Sequence, residues 1–254
     1  MLKQILQPFK SFYSKNTYRE TGLKRDNTGL LYLFVLIAFC WSLQSLKMIP
    51  GISLFKKEMA QDILPQIPDM IINNGAVHLQ IAQPHYIRSL KTNQIYAIID
   101  TTGIFSACTP NAAPFILTKT QLLYSKDSIE TRIIKINKDF SLEINQNKLH
   151  TWLNWITIAT IPFIFVFMTV FAFIGRTILV LFYSLIGIII IKFVKVSLPF
   201  KSLIRLSILA ITPSILIQTV LDLANIKPPH LKIVFFLITV SYLVYGILSC
   251  KNQE

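Results

Sequence analysis

Five stretches of the chain carry no charged side chain. They run between Asp26 and Lys47, His150 and Arg176, Arg176 and Lys192, Arg205 and Asp222, and Lys232 and Lys251, and Leu, Ile, Val and Phe fill them. An apolar run of about 20 residues, rising about 1.5 Å per residue, matches a hydrocarbon layer roughly 30 Å thick. The pattern predicts a membrane α-helical bundle of about five transmembrane helices, at 29–49, 152–174, 177–196, 201–223 and 232–250, with a tail at 251–254. The third is short. Only 177–191 is free of charge, roughly 22 Å of helix, so Lys192 has to snorkel while Phe193 to Val196 extend the span.

Residues 50–151 read differently. Between 51 and 150 both signs of charge return, with ten Lys or Arg and eight Asp or Glu. Pro50 and Gly51 are expected to break the first helix. Phe55 to Leu64 reads as a short amphipathic helix ended by Pro65. Short β-like runs follow at 69–72, 76–81, 95–100, 115–124, 129–136 and 140–144, punctuated by Asn73-Asn74-Gly75, Thr102-Gly103, Pro110-Asn111 and Lys126-Asp127. About 100 residues suffice for one small core. The expectation is an inserted extracytoplasmic mainly-β domain, chiefly antiparallel.

Residues 1–28 form a basic amphipathic N-terminus. Leu2, Ile5, Leu6, Phe9, Phe12 and Tyr13 recur at helical spacing among lysines, the pattern of a helix lying in the headgroup plane. The run after it is too long for a signal-peptide core, and no small-residue cleavage site follows. Phe39 stands before Cys40 where a lipoprotein box needs a small residue, so a retained anchor is expected. Lys3, Lys10, Lys15, Arg19, Lys24 and Arg25 place this end in the cytoplasm. Five crossings then leave the C-terminus outside. One feature opposes them: Lys192, Lys195, Lys201 and Arg205 would sit in a short external loop. A re-entrant third segment would return 192–205 and the C-terminus to the cytoplasm.

Composition agrees with lipid as the main solvent: 53% of residues are hydrophobic and 15% charged. The net charge of +13 would suggest nucleic acid in a soluble chain. Here the basic residues gather at the ends of apolar runs, so no nucleic-acid partner is expected. Cys40, Cys108 and Cys250 lack metal spacing and make no disulfide framework. His78, His85, His150 and His230 fall on no common face. No metal, no cofactor and no catalytic constellation are expected, and the chain does not read as an enzyme.

Two candidate sites remain. In the β region, Asn73 and Asn74 supply a turn that could face a ligand, and Asp100 with Thr101 ends a strand in a carboxylate and hydroxyls. The competing reading is a β-turn and an Asx-turn. In the helix at 201–223, Arg205, Ser207, Ser214, Gln218 and Asp222 form an intramembrane polar seam, interrupted by Ile211 and bent by Pro213. Such residues line a path or join helices through hydrogen bonds.

The segments KQILQPFKSFYSKNTYRE (3–20), LPQIPDMIINNG (64–75), AIIDTTG (97–103) and RLSILAITPSIL (205–216) resemble a bacterial membrane family, the one called domain of unknown function 1189. The resemblance spans nearly the whole chain. It implies one helix, a β-rich external segment and a cluster of C-terminal helices in a bacterial cytoplasmic membrane. The family has no established activity, although some members carry a label linking them to maltodextrin utilisation.

The functional expectation is a binding, sensing or scaffolding protein that uses its external β domain. The lipid bilayer and another membrane protein are its partner classes. The alternative is a transporter or transport-accessory subunit with the polar seam beside its path.

Overall fold

The structure, a computed structural model, describes residues 11–23, 29–105, 113–125 and 130–251. It divides into two compact units. One comprises residues 1–49 with 161–254, the other 50–160.

The first unit is helical. A short helix, α1 (Lys15–Leu23), precedes α2 (Leu30–Glu58), α3 (Gln146–Val194), α4 (Phe200–Leu223) and α5 (Leu231–Ser249); the end of α2 and the start of α3 belong to the second unit. Among the described residues, the four helices α2 to α5 are long and apolar enough to cross a membrane. The centre is α4, whose residues Leu203 to Ile215 are buried almost without interruption. Leu206, Ile208, Leu209 and Ile211 join Leu33, Leu36, Ile37, Val180, Leu243 and Ile247 in one core.

Side-chain pairs fix the helix directions within this unit. Tyr32 meets Thr212, and Lys47 meets the Asp222 carbonyl, so α2 runs with α4. Arg176 meets Gln218 and Ser184 meets Ser207, so α3 runs against it. Ser214 meets Thr239, and Leu206 lies beside Gly246, so α5 also runs against it. The directions alternate along the chain.

Two expected helix breaks are absent. Pro50 lies inside α2, which continues to Glu58 before a π turn (Met59–Ile63) and a 3-10 turn (Leu64–Gln66). Proline removes one N–H bond and kinks a helix without having to end it. The segments expected at 152–174 and 177–196 are one continuous helix of 49 residues. Arg176 separates the two charge-free runs in the sequence. Its guanidinium finds an acceptor in the Gln218 side chain on α4, so the backbone has no need to turn there. At about 1.5 Å per residue, α3 is roughly 74 Å long.

The N-terminal stretch is helical in its described part, over Lys15–Leu23. Much of the proposed amphipathic stretch, including Leu2 to Phe9, lies outside the described residues. The part that is described packs on helices: Tyr18 is fully buried and donates to the Ser11 carbonyl. The hydroxyls of Tyr242 and Tyr245 donate to the carbonyls of Phe12 and Tyr13.

The second unit is built from strands. A three-stranded sheet has the order β2-β1-β8, with β1 (Met70–Asn73), β2 (Ala76–Leu79) and β8 (Leu142–Ile144). A five-stranded sheet runs in sequence order through β3 (His85–Arg88), β4 (Ile95–Asp100), β5 (Phe115–Thr118), β6 (Gln121–Ser125) and β7 (Thr131–Lys135). All pairings are antiparallel except β4 with β5, which are parallel. Apolar side chains cover both faces of β4. Ile99 packs with Met70, Ile72, Val77 and Ile87, and Ile98 packs with Ile116, Leu123 and Ala113. The strand β3 was missed because Gln83-Pro84 before it reads as a loop. The expected single run 115–124 is a tight hairpin, turned at Thr118, whose hydroxyl accepts from the Gln121 N–H.

Candidate functional site

Asn73 ends β1 and Asn74 opens the two-residue hairpin turn Asn74-Gly75. Asn73 pairs with Ala76, and Asn74 and Gly75 both have positive φ, 50° and 74°. That is the type I′ geometry, which Asn-Gly adopts without the steric penalty other residues incur. Both asparagines are exposed.

Asp100 is fully buried. One carboxylate oxygen accepts from the Thr102 N–H at 2.9 Å and from the Thr102 hydroxyl. The other accepts from the Phe105 N–H at 2.8 Å. Burial alone would raise the carboxyl's pKa. The Thr102 hydroxyl and the N–H groups of Phe105, Thr102 and Ile104 outweigh it and hold the group below the usual range. The N–H and hydroxyl of Thr101 turn instead to the Gln83 side-chain oxygen, both at 2.7 Å. This carboxylate therefore organises its own loop. Asn73 and Asp100 end strands of different sheets.

The seam on α4 separates into individual contacts. Ser207 accepts from Ser184 of α3 at 3.2 Å. Ser214 shares a 2.9 Å bond with Thr239 of α5. Gln218 accepts from Arg176 of α3. At Asp222 the backbone carbonyl, not the carboxylate, accepts from Lys47, which also donates to Asn225. Each of these groups reaches a neighbouring helix or loop. Arg205 is different. It is buried, with 8% of its surface exposed, and one terminal nitrogen donates to Ser202 Oγ at 2.8 Å and to the Gly22 carbonyl of α1 at 3.2 Å. Its Nε has no partner.

Sequence reasoning missed a set of polar side chains, Gln66, Asp62 and Gln146, that fasten the ends of the strand unit. Gln66 donates to the Arg88 carbonyl at 2.6 Å and accepts from the Arg88 N–H at 2.9 Å. Asp62 accepts from the Leu90 N–H at 2.7 Å. Gln146 donates to the carbonyls of Leu64 and Ile67. The start of α3 is thus tied to the segment that follows α2. No spacing rule marks these residues, because their partners are 22 to 82 positions away. Among the described residues, no three His, Cys, Asp or Glu side chains cluster as a metal site.

Comparison with curated proteins and with solved structures gives no match. A family model described as "Protein of unknown function (DUF1189)" matches residues 7–247, nearly the whole length. The chain belongs to that family.

Proposed function

We propose that this protein is a bacterial inner-membrane binding or sensing protein whose strand unit faces the outside. The observation that carries this reading is the form of the two connections. α2 and α3 are each unbroken by a loop through residues 49–50 and 160–161, and inside the strand unit Gln146 ties the start of α3 to the chain leaving α2. A ligand that shifts the strands therefore acts on two helices at once.

The reading places four crossings, α2 to α5, in the membrane, with α3 leaning because its length exceeds the layer. An even number returns both termini to one side. Alternating helix directions bring Lys192, Lys195, Lys201 and Arg205 to the end where α1 packs, with Lys15, Arg19 and Lys251. The opposition noted in the sequence then disappears, since all of these face the cytoplasm as basic residues prefer.

Sidedness is tested by single cysteines in a background with Cys40, Cys108 and Cys250 all replaced by Ser, labelled in whole cells with a membrane-impermeant maleimide. Lys138→Cys is expected to react and Lys195→Cys to stay unlabelled; the reverse pattern overturns the orientation. The binding role is tested by replacing 67–144 with a short Gly-Ser linker. The shortened chain is expected to reach the membrane at normal level and to fail to restore any phenotype that the full chain restores in a deletion strain. Full rescue would refute the role of the strands.

A further inference from the structure

Arg205 presents an electrostatic problem that the described residues do not solve. Among the described residues every ion pair lies within 58–148, and none of them involves this buried guanidinium. Glu20, the acid on α1, is exposed and makes no ion pair with it. The groups that Arg205 touches, Ser202 Oγ and the Gly22 carbonyl, are neutral, and its Nε donates to nothing. A buried charge without a counter-charge is costly to hold away from water.

Its position enlarges the difficulty. Helical side chains lean toward the N-terminus, and the contact with Ser202, one turn earlier, shows that Arg205 does so. It points at the start of a 24-residue helix whose first turn no side chain caps. That end carries the positive pole of the helix dipole, which disfavours a cation and favours an anion. Lys201 adjoins Ser202, and Arg19 lies one turn before Gly22 on α1; both are exposed. The Thr21 hydroxyl on the same short helix is buried without a partner.

We propose that Arg205, aided by Lys201 of the same helix and Arg19 of α1, binds a phosphate group at the junction of α1 and the first turn of α4. A phosphate satisfies the guanidinium, the helix pole and the flanking cations together. On the orientation proposed above, the junction lies at the cytoplasmic surface of the bilayer, the depth of phospholipid headgroups, and an anionic phospholipid is the ligand source that fits that depth.

The test uses the full chain, purified in mild detergent and stripped of lipid. Native mass spectrometry follows retention of dioleoyl-phosphatidylglycerol against dioleoyl-phosphatidylcholine, with inorganic phosphate added as competitor. The parent is expected to retain the anionic lipid preferentially. Arg205→Gln weakens retention about tenfold, the loss of a charge-assisted bond. Arg205→Lys keeps part of it, and Lys201→Ala reduces it roughly threefold. Competition by inorganic phosphate assigns the site to the free anion as well; no competition assigns it to the lipid alone. Size-exclusion chromatography checks folding. If Arg205→Gln does not fold, Arg205→Lys and Lys201→Ala decide. Unchanged retention in both, or equal retention of the two lipids by the parent, overturns the site. The measurement does not depend on sidedness, so failure of the maleimide pattern and failure of this site are separate results.

Discussion

The two units use polar side chains in opposite ways. In the strand unit, Asp100 closes on Thr102 and Phe105, two and five residues on, and Asn73-Asn74 shape their own turn. In the helical unit, Ser207, Ser214 and Gln218 reach partners 21 to 42 residues away on other helices. Backbone hydrogen bonding explains the difference. A turn at a sheet end can satisfy its backbone locally, whereas a helix has already satisfied its own, leaving side chains free to bridge to neighbours. Polar groups near a turn therefore set local shape, and polar groups on an apolar helix set helix pairing.

Substitutions that strike each kind of contact should separate the two. Ile98→Ala opens a cavity on the covered face of β4 and is expected to cost about 2–5 kcal/mol. Hydrogen exchange of the full chain should show the loss in amides of β4 to β6 while those of α4 and α5 hold. Equal losses in both units would mean that they unfold as one.

Gly246→Leu attacks the helical unit. A Cβ there would stand 2.7 Å from the Tyr18 ring. Overpacking of this kind costs about 1–3 kcal/mol, and α1 is expected to leave its seat, so trypsin should cut at Arg19 faster than in the parent.

Asp100→Asn places an amide where a carboxylate accepts three bonds, with an expected cost of about 1–3 kcal/mol. The native carboxyl is held below its ordinary value, so the folded state favours the ionised form. The stabilisation is present above about pH 3.9, the unfolded value, and is lost as pH falls through the lower native value. Acid titration followed by exchange in β4 should show that loss in the parent and not in Asp100→Asn.

Ser214→Ala is expected to have the smallest effect, about 0.6 kcal/mol, with Thr239→Ala similar and the double variant no worse than either alone. A coupling above about 2 kcal/mol, read from a double-mutant cycle in detergent unfolding, would show that seam contacts carry more of the helix pairing than the comparison allows.

Legibility followed the same division. The Asn-Gly turn, the end of β4 at Asp100 and most strands could be read from the sequence because their signals lie within a few residues of one another. The helices were visible from the absence of charge, but the boundary placed at Arg176 was not real. Whether an arginine ends a helix depends on Gln218, 42 residues later, and no local pattern contains that information. Gln66, Gln146 and the burial of Tyr18 escaped notice for the same reason. The seam residues were identified by type, while their individual partners needed the helix directions. Arg205 stood among them as one polar residue of several until its lack of a counter-charge set it apart.

Gln146 holds the carbonyls of Leu64 and Ile67, and β8 lies beside β1. The strands thus begin and finish at a single spot. A segment with adjoining ends can be excised or exchanged without moving the flanking sequence apart. The helices could therefore carry a different strand unit between the same two joints.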